Sequence, residues 1–203
     1  MITDKDEGQM KSICVFCGSA DDLHPDYLDA ARLMGRTLAW NKLRLIYGGG
    51  RTGLMGALAE GCVEAGGTVI GVIVESMNTQ ALAHQGLGRL EVTASMHERK
   101  ARMHALADAF IAMPGGLVTF DELFETLTWG QIGIHEKPVG LLNVRDYFQP
   151  LLQMLLHAEQ EGFVFAEHRQ MMAVADEPQA VLDALKKHRH PTEAVKRWMR
   201  QDE

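Results

Sequence analysis

Residues Ala112-Met113-Pro114-Gly115-Gly116-Leu117-Val118-Thr119-Phe120-Asp121-Glu122 decide how the rest of the chain is read. An apolar run from Ala109 to Met113 has the character of a strand, Pro114 to Gly116 that of a tight turn. Beyond the turn the pattern is that of a helix whose first turn carries Asp121 and Glu122. Glycine turns between strand and helix let backbone N–H groups approach an anion, and the helix dipole favours negative charge there. The stretch predicts a phosphate-bearing ligand with carboxylates beside it.

Outward from this turn, apolar runs at 12–17, 43–47, 68–74, 90–93, 109–113, 139–143 and 171–175 read as strands. They alternate with helical patterns at 25–40, 53–65, 96–107, 119–132, 147–161 and 178–187, with a last polar helix at 192–200. Alternation of this kind builds βαβ units, and continuous apolar strands are those covered on both faces. The expected fold is α/β: a Rossmann-like, doubly wound parallel sheet with helices on both faces. All 203 residues read as one nucleotide-binding domain, with 1–10 disordered and 191–203 forming a peripheral C-terminal helix.

Composition narrows the partners. A formal net charge of −7 leaves no basic excess to neutralise a nucleic-acid backbone. No apolar run approaches the roughly 20 residues that span a bilayer, and the polar, acidic residues 1–10 lack the apolar core of a signal peptide. A cytoplasmic protein is expected. Cys14 and Cys17 form a C-x-x-C, a spacing used in redox and metal sites. They fall on a strand, where positions three apart face opposite sides, and no second pair completes a zinc site. Buried, inert thiols are the expectation, and no metal site is predicted.

A second glycine turn, Tyr47-Gly48-Gly49-Gly50-Arg51-Thr52-Gly53-Leu54-Met55-Gly56, follows the second expected strand. It matches G-x-G-x-x-G by letter, but no ribose-binding acid follows a neighbouring strand at the right distance. Nor is it a P-loop, since no G-K-[ST] follows. Two readings remain: a tight turn without a ligand, and a mononucleotide-sized phosphate site. In open α/β sheets ligands bind outside the strands' carboxyl ends where the order reverses. The two turns border one pocket if their strands are neighbours.

Arg99 falls within the buried stripe Met96, Met103, Leu106 and Phe110, and Lys100 lies on its other edge. An inward guanidinium needs a partner, and its planar fork suits phosphate or carboxylate. It either snorkels or pairs with a core acid, or it meets the ligand phosphate or a catalytic carboxylate in the pocket. His97 and His104 read as surface histidines. Thr119 to Glu122 spells T-x-x-E, a capping box in which Glu122 reaches back to the Thr119 N–H. The other role open to Glu122 is that of a carboxylate held near a bound sugar phosphate.

The residues Met96-His97-Glu98-Arg99-Lys100, followed by Pro114-Gly115-Gly116-x-x-Thr119-x-x-Glu122, closely resemble the LONELY GUY family of cytokinin-activating phosphoribohydrolases, whose relatives have often carried a "lysine decarboxylase" label. The resemblance continues through 128–143, Val15-Phe16-Cys17-Gly18-Ser19 and the turn at 48–56. It implies hydrolysis of the N-glycosidic bond of a nucleoside 5′-monophosphate, AMP or N6-substituted AMP, to free base and ribose 5-phosphate. Arg99 and Glu122 fall on the catalytic positions. The implied substrate- and phosphate-binding set is Gly18, Ser19, Gly49, Gly50, Gly53, Met96, Lys100, Pro114, Gly115, Gly116, Leu117, Val118, Thr119 and Asp121. No metal and no cofactor are implied, and a homodimer or larger homo-oligomer is.

The chain departs from the family in two places. Val118 stands where the pattern P-G-G-x-G-T has glycine, so either the turn keeps a negative φ or the phosphate contact is altered. Segment 75–88 matches poorly, and Ala81 lies where hormone-activating members carry an acidic residue. Two rivals belong to other classes. One is a non-catalytic carrier of a nucleotide or phosphorylated pterin cofactor on the same fold. The other is a pyridoxal-phosphate decarboxylase, which needs a Schiff-base lysine that neither glycine turn supplies.

Overall fold

The computed structural model describes residues 10–86, 88–193 and 195. The expectations for 1–10 and for a helix over 192–200 fall largely outside these residues. Seven parallel strands form one sheet in the order β4-β3-β2-β1-β5-β6-β7. They are β1 (Ser12–Phe16), β2 (Arg44–Tyr47), β3 (Val69–Val74), β4 (Arg89–Thr93), β5 (Ala109–Ala112), β6 (Val139–Leu142) and β7 (Met172–Ala175). The helices are α1 (Pro25–Trp40), α2 (Gly53–Glu64), α3 (Met96–Leu106), α4 (Leu117–Gln131), α5 (Gln149–Gln160), α6 (Ala166–Arg169) and α7 (Pro178–Lys187). The expected doubly wound α/β fold is present, and the single-turn α6 is an addition the periodicity did not predict.

Two cores explain the winding. On one face Ile13, Val15 and Leu45 meet Met34 and Leu38 of α1, Leu58 of α2 and Leu182 of α7. On the other, Cys14, Phe16, Phe110 and Leu141 meet Met103 of α3, Leu123 of α4 and Phe148 at the start of α5. Alternate residues of β1 thus serve opposite cores, as the pleat requires. Cys14 and Cys17 fall into different cores, and both are buried and free.

The chain winds outward from β1 to β4, then α3 carries it back across to β5 on the other side of β1. The strand order therefore reverses between β1 and β5. The strands that precede the two glycine turns, β2 and β5, are not neighbours: each flanks β1. Both turns still open at the same end of the sheet, because every strand is parallel.

His104 corrects an expectation. It is buried on α3, with its ring 4.4 Å from that of Phe110 and 4.5 Å from that of Trp129. Its Nε2 lies 3.0 Å from the Thr126 hydroxyl. The apolar stripe of α3 is wider than the spacing of its apolar residues implies, and it takes in Arg99, Lys100 and His104. His97 is exposed, as expected.

Candidate functional site

A cavity of about 470 Å³ opens where the strand order reverses, between the carboxyl end of β1 and the start of α4. Ser95 caps helix α3: its hydroxyl accepts the Glu98 N–H at 3.2 Å, while the Glu98 carboxylate takes the Ala94 N–H at 3.0 Å. This anchor sets the rotation of α3 and aims Arg99 under the sheet's carboxyl edge. Arg99 is only 6% exposed. Its Nε donates to the Val72 carbonyl at 2.9 Å and its Nη1 to Glu122 Oε1 at 2.8 Å.

Glu122, 4% exposed, lies in the second turn of α4 and forms part of the cavity wall with Arg99. Among the described residues its Oε2 has no hydrogen-bond partner. Burial pushes the carboxyl pKa up, and the Arg99 charge and hydrogen bond oppose that rise. Arg99 thus does not snorkel to solvent: it meets a carboxylate, and both side chains line the cavity.

The capping box is not formed. Helix α4 starts at Leu117 with Gly116 as its N-cap, so Thr119 is already inside the first turn. Glu122 is turned toward Arg99 instead of back to the Thr119 N–H. A buried guanidinium competes for that carboxylate more strongly than one backbone amide does. The box signature belongs to α3, where Ser95-x-x-Glu98 spells the same pattern.

Val118 is the second residue of α4, and its φ is not positive. The turn keeps helical backbone at this position, so a β-branched side chain is accommodated and its N–H stays at the helix start. The N–H groups of Gly116, Leu117 and Val118 have no acceptor among the described residues, as expected for a helix N-terminus.

Of the residues implied by the family, Gly18, Ser19, Gly50, Met96, Gly116, Leu117, Val118 and Thr119 line the cavity with Arg99 and Glu122. Gly49, Gly53, Lys100, Pro114, Gly115 and Asp121 do not. Each of these six has another task. The Gly49 carbonyl accepts from His84 N–H, and Gly53 holds φ +55° where an added Cβ would meet the Ala20 carbonyl at 2.4 Å. The Pro114 carbonyl accepts from Gly18 N–H at 3.0 Å. Gly115 packs so closely that a Cβ would stand 2.2 Å from the Thr119 hydroxyl. Lys100 pairs with Asp121 at 2.9 Å and Glu125 at 3.0 Å, facing away from the cavity wall.

Sequence reasoning missed the apolar wall made by Met55, Ile73, Met77 and Leu82. Met77 and Leu82 belong to the poorly matching segment, and residues 82–84 of it bond the glycine turn. Arg51 N–H donates to the Leu82 carbonyl at 2.9 Å, and Gly50 bridges Ala83. Cys17 also reaches the wall, where burial and the neighbouring Glu122 hold its thiol far above the usual range and therefore protonated. Among the described residues no group of three or more His, Cys, Asp or Glu side chains could hold a metal ion. No helix among them is long and apolar enough to cross a membrane.

Fold and site together define a Rossmann-like α/β protein with a buried Arg–Glu pair at the switch point of its sheet. Residues 55–185 match the family model described as possible lysine decarboxylase. A cytokinin riboside 5′-monophosphate phosphoribohydrolase of Rhodococcoides fascians is 46% identical over 177 residues, covering 87% of this chain and 89% of that protein. A probable enzyme of the same name from Arabidopsis thaliana is 44% identical over 174 residues, 86% of this chain and 87% of its own. The chain belongs to this phosphoribohydrolase family. Among solved structures, a molybdenum cofactor binding protein from Rippkaea orientalis superposes with TM-score 0.67 at 25% identity, covering 89% of this chain and 98% of that one. The molybdenum cofactor carrier protein of Chlamydomonas reinhardtii, with TM-score 0.65 and 21% identity over 88% of this chain and 98% of that one, shares the fold.

Proposed function

We propose that this chain hydrolyses the N-glycosidic bond of a nucleoside 5′-monophosphate, AMP or an N6-substituted AMP, to free base and ribose 5-phosphate. The observation that carries the reading is Glu122: a buried carboxylate in a cavity wall, one oxygen held by Arg99 and the other free of hydrogen bonds among the described residues. As the C1′–N bond breaks, its electron pair leaves with the base and positive charge builds on the ribose ring. A fixed carboxylate beside the ring stabilises that charge, and water then forms the new C1′–O bond while its proton passes to solvent or base. Arg99 keeps Glu122 in place, and its charge and hydrogen bond favour the anionic form against the burial that raises the carboxyl pKa.

The start of α4 supplies the seat for the 5′-phosphate, where unpaired N–H groups and the helix dipole meet an anion. Binding the remote phosphate orients the sugar and supplies energy for the step at C1′. The apolar wall of Met55, Ile73, Met77 and Leu82 suits a flat base. No lysine lines the cavity, so the residues present do not fit a Schiff-base cofactor. In this reading the protein acts in the cytoplasm as a homodimer or larger homo-oligomer, on a small nucleotide and not on nucleic acid.

Incubation with AMP, GMP, CMP and isopentenyl-AMP, followed by chromatography for free base and ribose 5-phosphate, tests the reading. Release is expected, and Glu122→Gln is expected to abolish it while the melting temperature stays within about 5 °C. Turnover unchanged in that variant removes Glu122 from the chemistry. Tight nucleotide or pterin binding by the wild type without any release favours a carrier, the word used for the Chlamydomonas reinhardtii neighbour.

A further inference from the structure

Tyr147 lies outside the cavity wall, yet its hydroxyl donates to the Gly115 carbonyl at 2.5 Å. The ring is fixed on several sides: it stacks on Phe120 at 9° between planes and meets Tyr27 and Phe148 edge-on. The loop that delivers it holds Arg145 and Asp146 at φ +53° and +56°, a left-handed backbone that neither residue type adopts without cost. Hydrogen bonds brace that loop. Asn143 Oδ1 accepts from Phe148 N–H at 2.7 Å, and Arg145 pairs with Asp26 at 2.7 Å. A strained loop that sends one hydrogen bond to the glycine turn calls for a reason.

We propose that Tyr147 is a positioning residue for phosphate binding: by holding the Gly115 carbonyl outward, it turns the Gly116 N–H of the same peptide toward the cavity. A trans peptide carries its C=O and N–H on opposite sides, so fixing one aims the other. Gly116 lines the cavity, and its N–H has no acceptor among the described residues. The preceding peptide is fixed in the same way, with the Pro114 carbonyl held by Gly18 N–H. Without the tyrosine hydroxyl the Gly115–Gly116 peptide is free to rotate, and a carbonyl oxygen would then face the phosphate it should repel. The inference rests on the reading of the α4 start as the phosphate seat.

Tyr147→Phe keeps the ring and removes the bond. Its KM for AMP and its inhibition constant for ribose 5-phosphate are expected to rise about tenfold, as for loss of one hydrogen bond to a charged group. In the same variant kcat is expected to change less than about threefold, and the inhibition constant of adenosine, which has no phosphate, to stay put. Unchanged AMP and ribose 5-phosphate constants overturn the proposal, and so does equal weakening of AMP and adenosine. Wild-type protein that binds adenosine as tightly as AMP overturns the phosphate seat itself, and this inference with it; that arm needs no variant, so the two failures are told apart. If Tyr147→Phe does not fold, the Gly116 amide resonance of wild-type protein titrated with inorganic phosphate decides: a saturable downfield shift supports the assignment, and an unmoved resonance overturns it.

Discussion

A methyl group at Gly48 would stand 2.3 Å from Nη2 of Arg99 and 3.0 Å from the Met55 sulfur. Nε and Nη1 of that guanidinium are already held by Val72 and Glu122, so it yields only by breaking one of these bonds. Gly48→Ala is therefore expected to reduce kcat/KM about tenfold or more by displacing the charged pair, with a melting temperature only a few degrees lower because the strand beneath is untouched. Steady-state kinetics beside a thermal melt checks this, and full activity would show that the Arg99 position is not critical. The turn that holds Gly48 was legible in the sequence. Its role was not, because letters alone do not show which of three adjacent glycines faces a side chain arriving from a helix 51 residues later.

Between elements, the link from α3 to α4 is a double one. Arg99 bonds Glu122, and Lys100, its chain neighbour, bonds Asp121 and Glu125. Lys100 is buried, and Oε2 of Glu125 is buried without a hydrogen-bond partner, so removal of the ammonium leaves carboxylate charge poorly compensated. Lys100→Met is expected to destabilise the fold by about 2 kcal/mol in urea unfolding, short of a fully buried pair because Asp121 is half exposed. A raised KM with stability unchanged would instead return Lys100 to the substrate contact that the family resemblance implied. Strands and long helices were readable because apolar runs and 3.6-residue stripes reflect burial directly. The capping box was not. T-x-x-E and S-x-x-E both occur, at 119–122 and 95–98, and only the second caps, because Gly116 starts α4 early and Arg99 takes Glu122. The apolar wall stayed hidden as well, since Met77 and Leu82 sit in a segment without periodicity and gain meaning only when residues 82–84 bond the glycine turn.

For the molecule as a whole, acidity is the lever. Burial lowers the pKa of His104 to about 4, helped by His135, Lys137 and Lys100, and burial likewise lowers His135. Both imidazoles are neutral in the fold, so as pH falls below the ordinary histidine value the unfolded chain takes up protons first and stability is lost. For His104 alone the loss is about 3 kcal/mol between pH about 6.5 and 4, after which it levels off. Glu122, raised by burial, has the opposite sign: its contribution is full below the ordinary carboxylate pKa and is lost as pH rises through its folded value. Urea midpoints between about pH 7 and 4.5 should therefore fall in the wild type and fall less in His104→Gln. Parallel declines would mean that His104 does not set the slope.

The connection between β3 and β4 supplies Met77 and Leu82 of the apolar wall, while Met55 and Ile73 come from α2 and β3, and it holds neither of the two paired charges. Those charges come from the continuous unit α3–β5–α4, whose spacing is set by a four-residue strand in the middle of the sheet. On the proposed reading, the groups that act on the sugar and part of the wall that admits the base thus come from separate stretches of chain. Exchanges at Met77 and Leu82 are therefore expected to change which nucleotides are admitted while the Arg99–Glu122 pair stays intact.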